Sequence, residues 1–337
     1  MLALVCRQPG DLAIETRNTP VPAPGEALVR VRRIGICGTD YHIYEGKHPF
    51  LQYPRVMGHE LAADIVEAPA GSGLSPGQAV IVNPYLSCGT CVACRKGKPN
   101  CCTRIAVLGV HGDGGMTEYM SLPVGNLLPA NGLTLDQCAT VEFLAIGAHA
   151  VRRGAVVPGD RALVIGAGPI GLGAALFARL AGATVHLLDR DTERLATISD
   201  LVGAAGTIVA DDAADAAVAA ATDGEGFDIV FDATGATPSM IKAFDFVASG
   251  GRLVLVSVVK DAITFSDPDF HRREMTLYGS RNATMIDFET VVAAIRAGRV
   301  PIDKIITHRT SLEEAVTDLP RWAREKSGLV KAVISLD

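Results

Sequence analysis

The stretch Ala162–Asp189, ALVIGAGPIGLGAALFARLAGATVHLLD, limits the fold more than any other part of the chain. An apolar run, Ala162 to Ile165, predicts a buried strand. Gly166, Gly168 and Gly171 then spell G-x-G-x-x-G. Pro169 stands where a helix begins, with φ fixed and no donor needed. Ile170, Leu172, Leu176, Phe177 and Leu180 keep a helical rhythm up to Gly182, a C-terminal stop. Val185 to Leu188 predicts a second strand, which ends on Asp189. The glycines let the backbone turn tightly and approach a pyrophosphate. The helix N-terminus offers N–H groups and a partial positive charge to that anion. Asp189, eighteen positions past Gly171, is placed to accept hydrogen bonds from a ribose diol. Strand, glycines, helix, strand and acid in this order predict dinucleotide binding. The bland alternative is a tight α/β loop without a ligand. An acid at Asp189 repels a 2′-phosphate and favours NAD over NADP, while Arg190 beside it pulls the other way.

A length of 337 residues suggests two domains at about 150 residues each. The net charge of −6 argues against a nucleic-acid surface. No run of about 18 apolar residues occurs, so no membrane partner is expected. The opening MLALVCRQPGD is too short and too soon charged for a signal peptide, which predicts a cytoplasmic protein. Residues 1 to about 36 carry short alternating segments between Pro and Gly punctuation. In Leu28–Ile36, Val29 and Val31 alternate with Arg30 and Arg32, as in a half-exposed strand. This predicts a β-rich unit, distinct from the βαβ region after residue 150.

Eight cysteines in a reducing compartment point to metal rather than disulfides. Cys88-x2-Cys91-x2-Cys94-x7-Cys102 has the spacing of a closed, tetrahedral structural zinc site. Cys101, adjacent to Cys102, cannot easily share that geometry, so Cys102 is taken as the ligand. A zinc ribbon for nucleic acid has similar cysteines, but the acidic balance weighs against it. A second constellation is Cys37-Gly-Thr39-Asp40-Tyr41-His42 followed by Gly58-His59-Glu60, with Glu142 further on. Thiolate, imidazole and carboxylate are zinc ligands, and a catalytic site needs about three of them plus an open position. Each residue also has a bland role: Cys37 as a small buried apolar group, His59 as a hydrogen-bonded core histidine, Glu60 or Glu142 as a helix-starting acid.

Taken together and in order, these motifs resemble those of zinc-dependent medium-chain alcohol and polyol dehydrogenases. The acid at Glu142 resembles the sorbitol and threonine dehydrogenase branch. Three stretches are similar to bacterial sugar-acid dehydrogenases acting at C5 of L-galactonate or L-gulonate: Leu108–Gly115, Ser266–Glu274 and Gly279–Thr284. The resemblance implies a Rossmann doubly wound parallel sheet over 150–282. It also implies a β-rich GroES-like catalytic domain from 1–149 and 283–337, with a structural zinc lobe at about 84–105. The active site is then expected in the cleft between the domains. A catalytic zinc would be held by Cys37, His59 and either Glu60 or Glu142, with Thr39 and His42 as a proton relay. The implied reaction moves a hydride from a secondary alcohol of a sugar acid to NAD. A sorbitol-like polyol or L-threonine is the alternative substrate, and an NAD-binding redox sensor the non-enzymatic alternative. Relatives suggest a homo-oligomer, dimer or tetramer, acting on a small molecule.

Beyond Asp189, Arg194 falls on the next helix, towards the adenosine side or simply in solvent. Thr207–Asp211 and Phe227–Ala233 read as strands, with an Ala-rich helix between them from Ala213 to Ala221. Thr234 and Gly235 follow the second of these, where loops line a ligand crevice. Gly250-Gly251 reads as a turn into a strand Leu253–Val258 that ends near Ser257, and Leu277–Ser280 continues the sheet. Arg281 and His111 are candidate substrate contacts. Arg272 and Arg273 read as solvated charges flanking a strand, and Val330–Leu336 as a closing strand.

Overall fold

The computed structural model describes residues 1–47, 51–325 and 327–337. The chain divides into two units, Met1–Glu142 with Thr284–Asp337, and Phe143–Ala283.

The first unit is β-rich. Among the described residues its main sheet has seven strands. Six run in the order Leu127–Pro129, Ala79–Val82, Glu60–Glu67, Glu26–Ile36, Lys331–Ser335, Ile306–Ser311. Tyr119–Pro123 adds a further pairing to Glu26–Ile36. The period-two pattern explains the central strand: Val29 and Val31 are fully buried, whereas Arg30 is exposed. Arg32, half-buried, turns to Asp64 at 2.6 Å. The closing strand Lys331–Ser335 lies antiparallel to Glu26–Ile36, with Ala332 opposite Ile36. The first unit therefore completes its sheet with residues that follow the second unit in sequence.

The second unit holds a six-stranded sheet among the described residues. Its spatial order is Gly206–Val209, Thr184–Asp189, Arg161–Ile165, Phe227–Asp232, Val247–Leu255, Thr276–Gly279, all parallel. Numbered along the chain this is 3-2-1-4-5-6, the doubly wound Rossmann order, with the strand order reversing beside Arg161–Ile165. Helix Pro169–Leu180 follows the first strand and is buried from Gly171 through Ala178. Helix Val141–Arg153 packs against it so closely that a Cβ on Gly147 would lie 2.3 Å from the Gly173 carbonyl carbon. The division between the two units falls at 142/143, within this helix.

Two expectations are corrected in this unit. Gly250 and Gly251 do not form a turn before a strand; both lie inside Val247–Leu255. The register against Phe227–Asp232 shifts there, from Phe227↔Val247 to Ile229↔Arg252, and Gly250 absorbs the irregularity at φ +75°. Ser257 consequently lies beyond the strand end. Arg273 is not a solvated charge. Its side chain is 12% exposed, donates to the Val247 carbonyl at 2.7 Å and pairs with Asp269. Arg272, at the end of helix Asp267–Arg272, does face solvent.

Candidate active site

Cys37 ends the long strand Glu26–Ile36 and caps helix Gly38–Tyr44. An acid at the third helical position closes a capping box: Asp40 Oδ2 accepts from the Cys37 backbone N–H at 2.9 Å. Its other oxygen, Oδ1, accepts from the Gly58 N–H at 3.2 Å. One fully buried carboxylate thus ties the Cys37 segment to the His59 segment. His59 and Glu60 enter strand Glu60–Glu67, which pairs with Glu26–Ile36 through Gly35↔Glu60. A side chain at position 35 would collide with the acid, since a Cβ there would lie 2.1 Å from Glu60 Oε2.

The sulfur of Cys37, a ring nitrogen of His59 and a carboxylate oxygen of Glu60 lie within 4.8 Å of one another. His59 Nδ1 and Glu142 Oε2 are buried beside this group without a hydrogen bond. The donor set of thiolate, imidazole and carboxylate fits zinc. Burial opposes a charge on His59, but Cys37, Asp40 and Glu142 outweigh it and raise its pKa well above the usual value. Burial lifts the Glu142 carboxyl to about 7; His59 pulls it back, and Glu60 pushes it further up. Glu142, the second residue of helix Val141–Arg153, stands outside the three-residue group and accepts a hydrogen bond from the Tyr85 hydroxyl. Burial, then the Glu142 carboxylate, push the Tyr85 hydroxyl well up and keep its proton in place.

The two glutamates are therefore distinguished by their partners. Glu60 is paired with Lys331, whose Nζ lies 2.6 Å from Oε1 and 2.5 Å from Oε2. Lys331 Nζ also donates to the Ile36 carbonyl at 3.2 Å. Thr39 Oγ1 is 3.7 Å from Cys37 Sγ, and His42 is exposed on the same short helix. His111 is exposed, and its Nδ1 accepts from the Val107 N–H at 3.1 Å in the turn after strand Ala106–Val107.

The four cysteines form the second donor group. The sulfurs of Cys88, Cys91, Cys94 and Cys102 lie within 4.8 Å of one another, and Cys101 is exposed. Gly89 at φ +71° and Gly97 at φ +69° make the turns that fold the loop on itself. Arg104 and the Thr90 and Cys91 backbone bring the Cys88 thiol down to about 5. Backbone N–H groups of Cys94 and Thr103 bring Cys91 to about 6. Cys94 rises to about 11, through desolvation first and its hydrogen bond with Cys91 next.

In the second unit the glycine turn meets the demands of a pyrophosphate. Gly166 sits at φ +97°, and a Cβ on Gly171 would lie 1.7 Å from the Gly166 carbonyl oxygen. A Cβ on Gly168 would meet nothing within 4 Å, which leaves the approach to the helix N-terminus open. Pro169 and Ile170 open that helix. Asp189 ends strand Thr184–Asp189 and accepts from the Ala167 N–H at 2.7 Å and the Asp191 N–H at 3.0 Å, so it braces the turn directly. Arg190 is exposed beside it, and Arg194 lies 3.7 Å from Asp191, which caps the next helix. Thr234 is held by two bonds to Asp232 Oδ1, at 3.0 and 2.7 Å. Gly235, at φ +65°, lies against Ser257, whose Cβ would be 3.7 Å from a Cβ added there. Arg281 is exposed just past strand Thr276–Gly279. Because the strands are parallel, these loops all leave the same edge of the sheet.

Asp40, Tyr85 and Lys331 were not singled out by sequence reasoning. Asp40 had a local signal, the acid three positions after a helix-capping cysteine. A lysine opening the otherwise apolar run Lys331–Ile334 was a weaker hint of a buried counter-charge. Tyr85 had none.

Residues 23–132 match the alcohol dehydrogenase GroES-like domain family, and residues 169–297 match zinc-binding dehydrogenases. The chain is 41% identical over 336 residues to L-galactonate-5-dehydrogenase of Escherichia coli (strain K12), covering 99% of each. It is 31% identical over 327 residues to sorbitol dehydrogenase of Halalkalibacterium halodurans, covering 93% of this chain and 94% of that one. A solved structure described as a short chain alcohol dehydrogenase of Escherichia coli CFT073 complexed with NADH superposes at a TM-score of 0.93 with 29% identity, covering 100% and 99% of the two chains. A GroES-like unit, a Rossmann unit, donor groups suited to two zinc ions and a full-length relative at this identity lead to one conclusion: the chain belongs to the zinc-binding medium-chain alcohol dehydrogenase family and is an oxidoreductase.

Proposed function

We propose that the substrate is a sugar acid, oxidised at a secondary alcohol as in the L-galactonate or L-gulonate 5-dehydrogenase type, with NAD rather than NADP taking the hydride. The identity of 41% to L-galactonate-5-dehydrogenase across the whole chain carries this reading. In it Cys37, His59 and Glu60 hold the catalytic zinc, and Cys88, Cys91, Cys94 and Cys102 hold the structural one. The catalytic ion supplies Lewis acidity, which lets an alcohol ionise near neutral pH.

The chain's own groups supply the remainder. Thr39 hydrogen-bonds the reacting hydroxyl, and His42, three positions along the same helix, passes its proton to solvent. Gly166, Gly168 and Gly171, with the N-terminus of helix Pro169–Leu180, bind the pyrophosphate. Asp189 binds the adenosine ribose, with Arg190 and Arg194 beside it. Thr234, Gly235 and Ser257 line the onward path of the cofactor. Arg281 takes the substrate carboxylate through a two-pronged contact, and His111 is a second substrate contact. A polyol or L-threonine is the competing substrate class, favoured by the similarity to sorbitol dehydrogenase.

Initial rates of NAD reduction with L-galactonate, L-gulonate, sorbitol and L-threonine separate the two. The sugar acids are expected to lead in kcat/KM by about tenfold or more, the worth of one good polar contact. A lead for sorbitol or L-threonine overturns the assignment. Arg281→Ala is expected to raise KM for the sugar acids and leave sorbitol unaffected.

A further inference from the structure

Tyr85 is held unusually firmly for a residue with no assigned role. It begins the two-residue strand Tyr85–Leu86, paired with Ala106–Val107. Its ring is buried and meets Phe288 edge-on, 6.4 Å between centroids. Its backbone N–H donates to Asn83 Oδ1 at 3.1 Å. Its carbonyl accepts from Asn126 Nδ2 at 3.2 Å, and the same amide donates to the Asn83 carbonyl at 2.8 Å. Ring and backbone together aim the hydroxyl at one target, Glu142 Oε1. The second oxygen of that carboxylate, Oε2, is buried without a partner.

The placement matters because Glu142 is close enough to influence His59 and Glu60 electrostatically, yet it stands outside the Cys37, His59 and Glu60 group. Three protein ligands leave a zinc ion one position for substrate; a fourth makes the closed set typical of structural sites. We propose that Tyr85 is a positioning residue that tethers Glu142 away from the donor group and so preserves the open coordination position. The inference rests on the catalytic-zinc reading of Cys37, His59 and Glu60.

Cobalt tests it, in enzyme that keeps zinc at the four-cysteine lobe and carries Co²⁺ at the other group. Tyr85→Phe removes the hydroxyl and keeps the ring against Phe288. It is expected to change the wavelength and intensity of the cobalt d–d bands and to slow metal loss to a chelator by about tenfold, the scale of effects from residues behind metal ligands. NADH affinity, read by fluorescence titration, is expected to stay the same. Adding Glu142→Gln to Tyr85→Phe is expected to return the bands to the wild-type form. Glu142→Gln alone is expected to leave them unchanged, and this arm stands even if Tyr85→Phe does not accumulate. Superimposable wild-type and Tyr85→Phe spectra, a change that persists in the double variant, or altered bands in Glu142→Gln alone each overturn the proposal. Wild-type protein that binds no Co²⁺ outside the lobe overturns the catalytic-zinc reading instead.

Discussion

Glu60 and Lys331 are both withdrawn from water, at 0% and 2% exposure, and each neutralises the other. Removing one partner of such a pair leaves a buried charge without compensation. Lys331→Met is therefore expected to cost about 3–5 kcal/mol, seen as a fall in the calorimetric midpoint. The double variant Lys331→Met with Glu60→Gln is expected to recover part of that loss. A midpoint unchanged in Lys331→Met would show that the pair contributes nothing to stability. Asp189 makes a different prediction. Its carboxylate braces the glycine turn and, in the proposed reading, accepts from the adenosine ribose diol. Asp189→Gly is expected to raise the NADP-to-NAD ratio of kcat/KM by about tenfold or more, through loss of a charged hydrogen-bond acceptor and of its repulsion towards a phosphate. A ratio unchanged from wild type places the carboxylate away from the ribose. Cys37, His59 and the glycines were legible in the sequence because their chemistry is written in residue type and short spacing. Lys331 was not, because its partner lies 271 positions away and only the folded sheet brings the two together. Tyr85 was not, because an aromatic residue is ordinarily just core.

Among the elements, the cysteine lobe couples local structure to pH. Each sulfur must lose its proton before it can hold a cation, so protons compete with zinc. Arg104 and nearby N–H groups lower the Cys88 and Cys91 thiols to about 5 and 6. A lowered thiol pKa lets the lobe hold a cation at lower pH than ordinary thiols would, and a bound cation keeps the thiolates unprotonated further down still. Zinc is expected to stay in the lobe at about pH 6 and to leave only as the pH falls below about 5, followed with a metal-sensitive dye. Loss of zinc above about pH 6 contradicts the assignment of these thiols as the competing groups. The strand Glu26–Ile36 was legible from alternation alone, because one of its faces is wet. The strand Val247–Leu255 was misread because it carries two glycines at a register shift, and glycines in sequence look like a turn. Nothing local distinguishes a bulge inside a parallel sheet from a loop before one.

For the whole chain, two donor groups in one unit predict two zinc ions per polypeptide by mass spectrometry of the intact protein. Chelation is expected to remove the ion at Cys37, His59 and Glu60 first, because a site kept open for substrate is also open to a competing ligand. A single, non-exchangeable zinc would leave the Cys37 group without a metal role. The division into a β-rich unit and a βαβ unit was legible because their hydrophobic periods differ. The close approach of Gly147 to Gly173, which packs helix Val141–Arg153 against helix Pro169–Leu180, was not, since it joins residues distant in sequence.

Strand Lys331–Ser335 lies between Glu26–Ile36 and Ile306–Ser311 in the first unit's sheet. During translation the second unit, contiguous in sequence, can fold as soon as it clears the ribosome. The first unit must wait with one side of strand Glu26–Ile36 unpaired at its Ile36 end, and with Glu60 lacking its ammonium partner, until Lys331 emerges. The metal-binding half of this dehydrogenase is thus the half most exposed to chaperones and proteases while the polypeptide is being made.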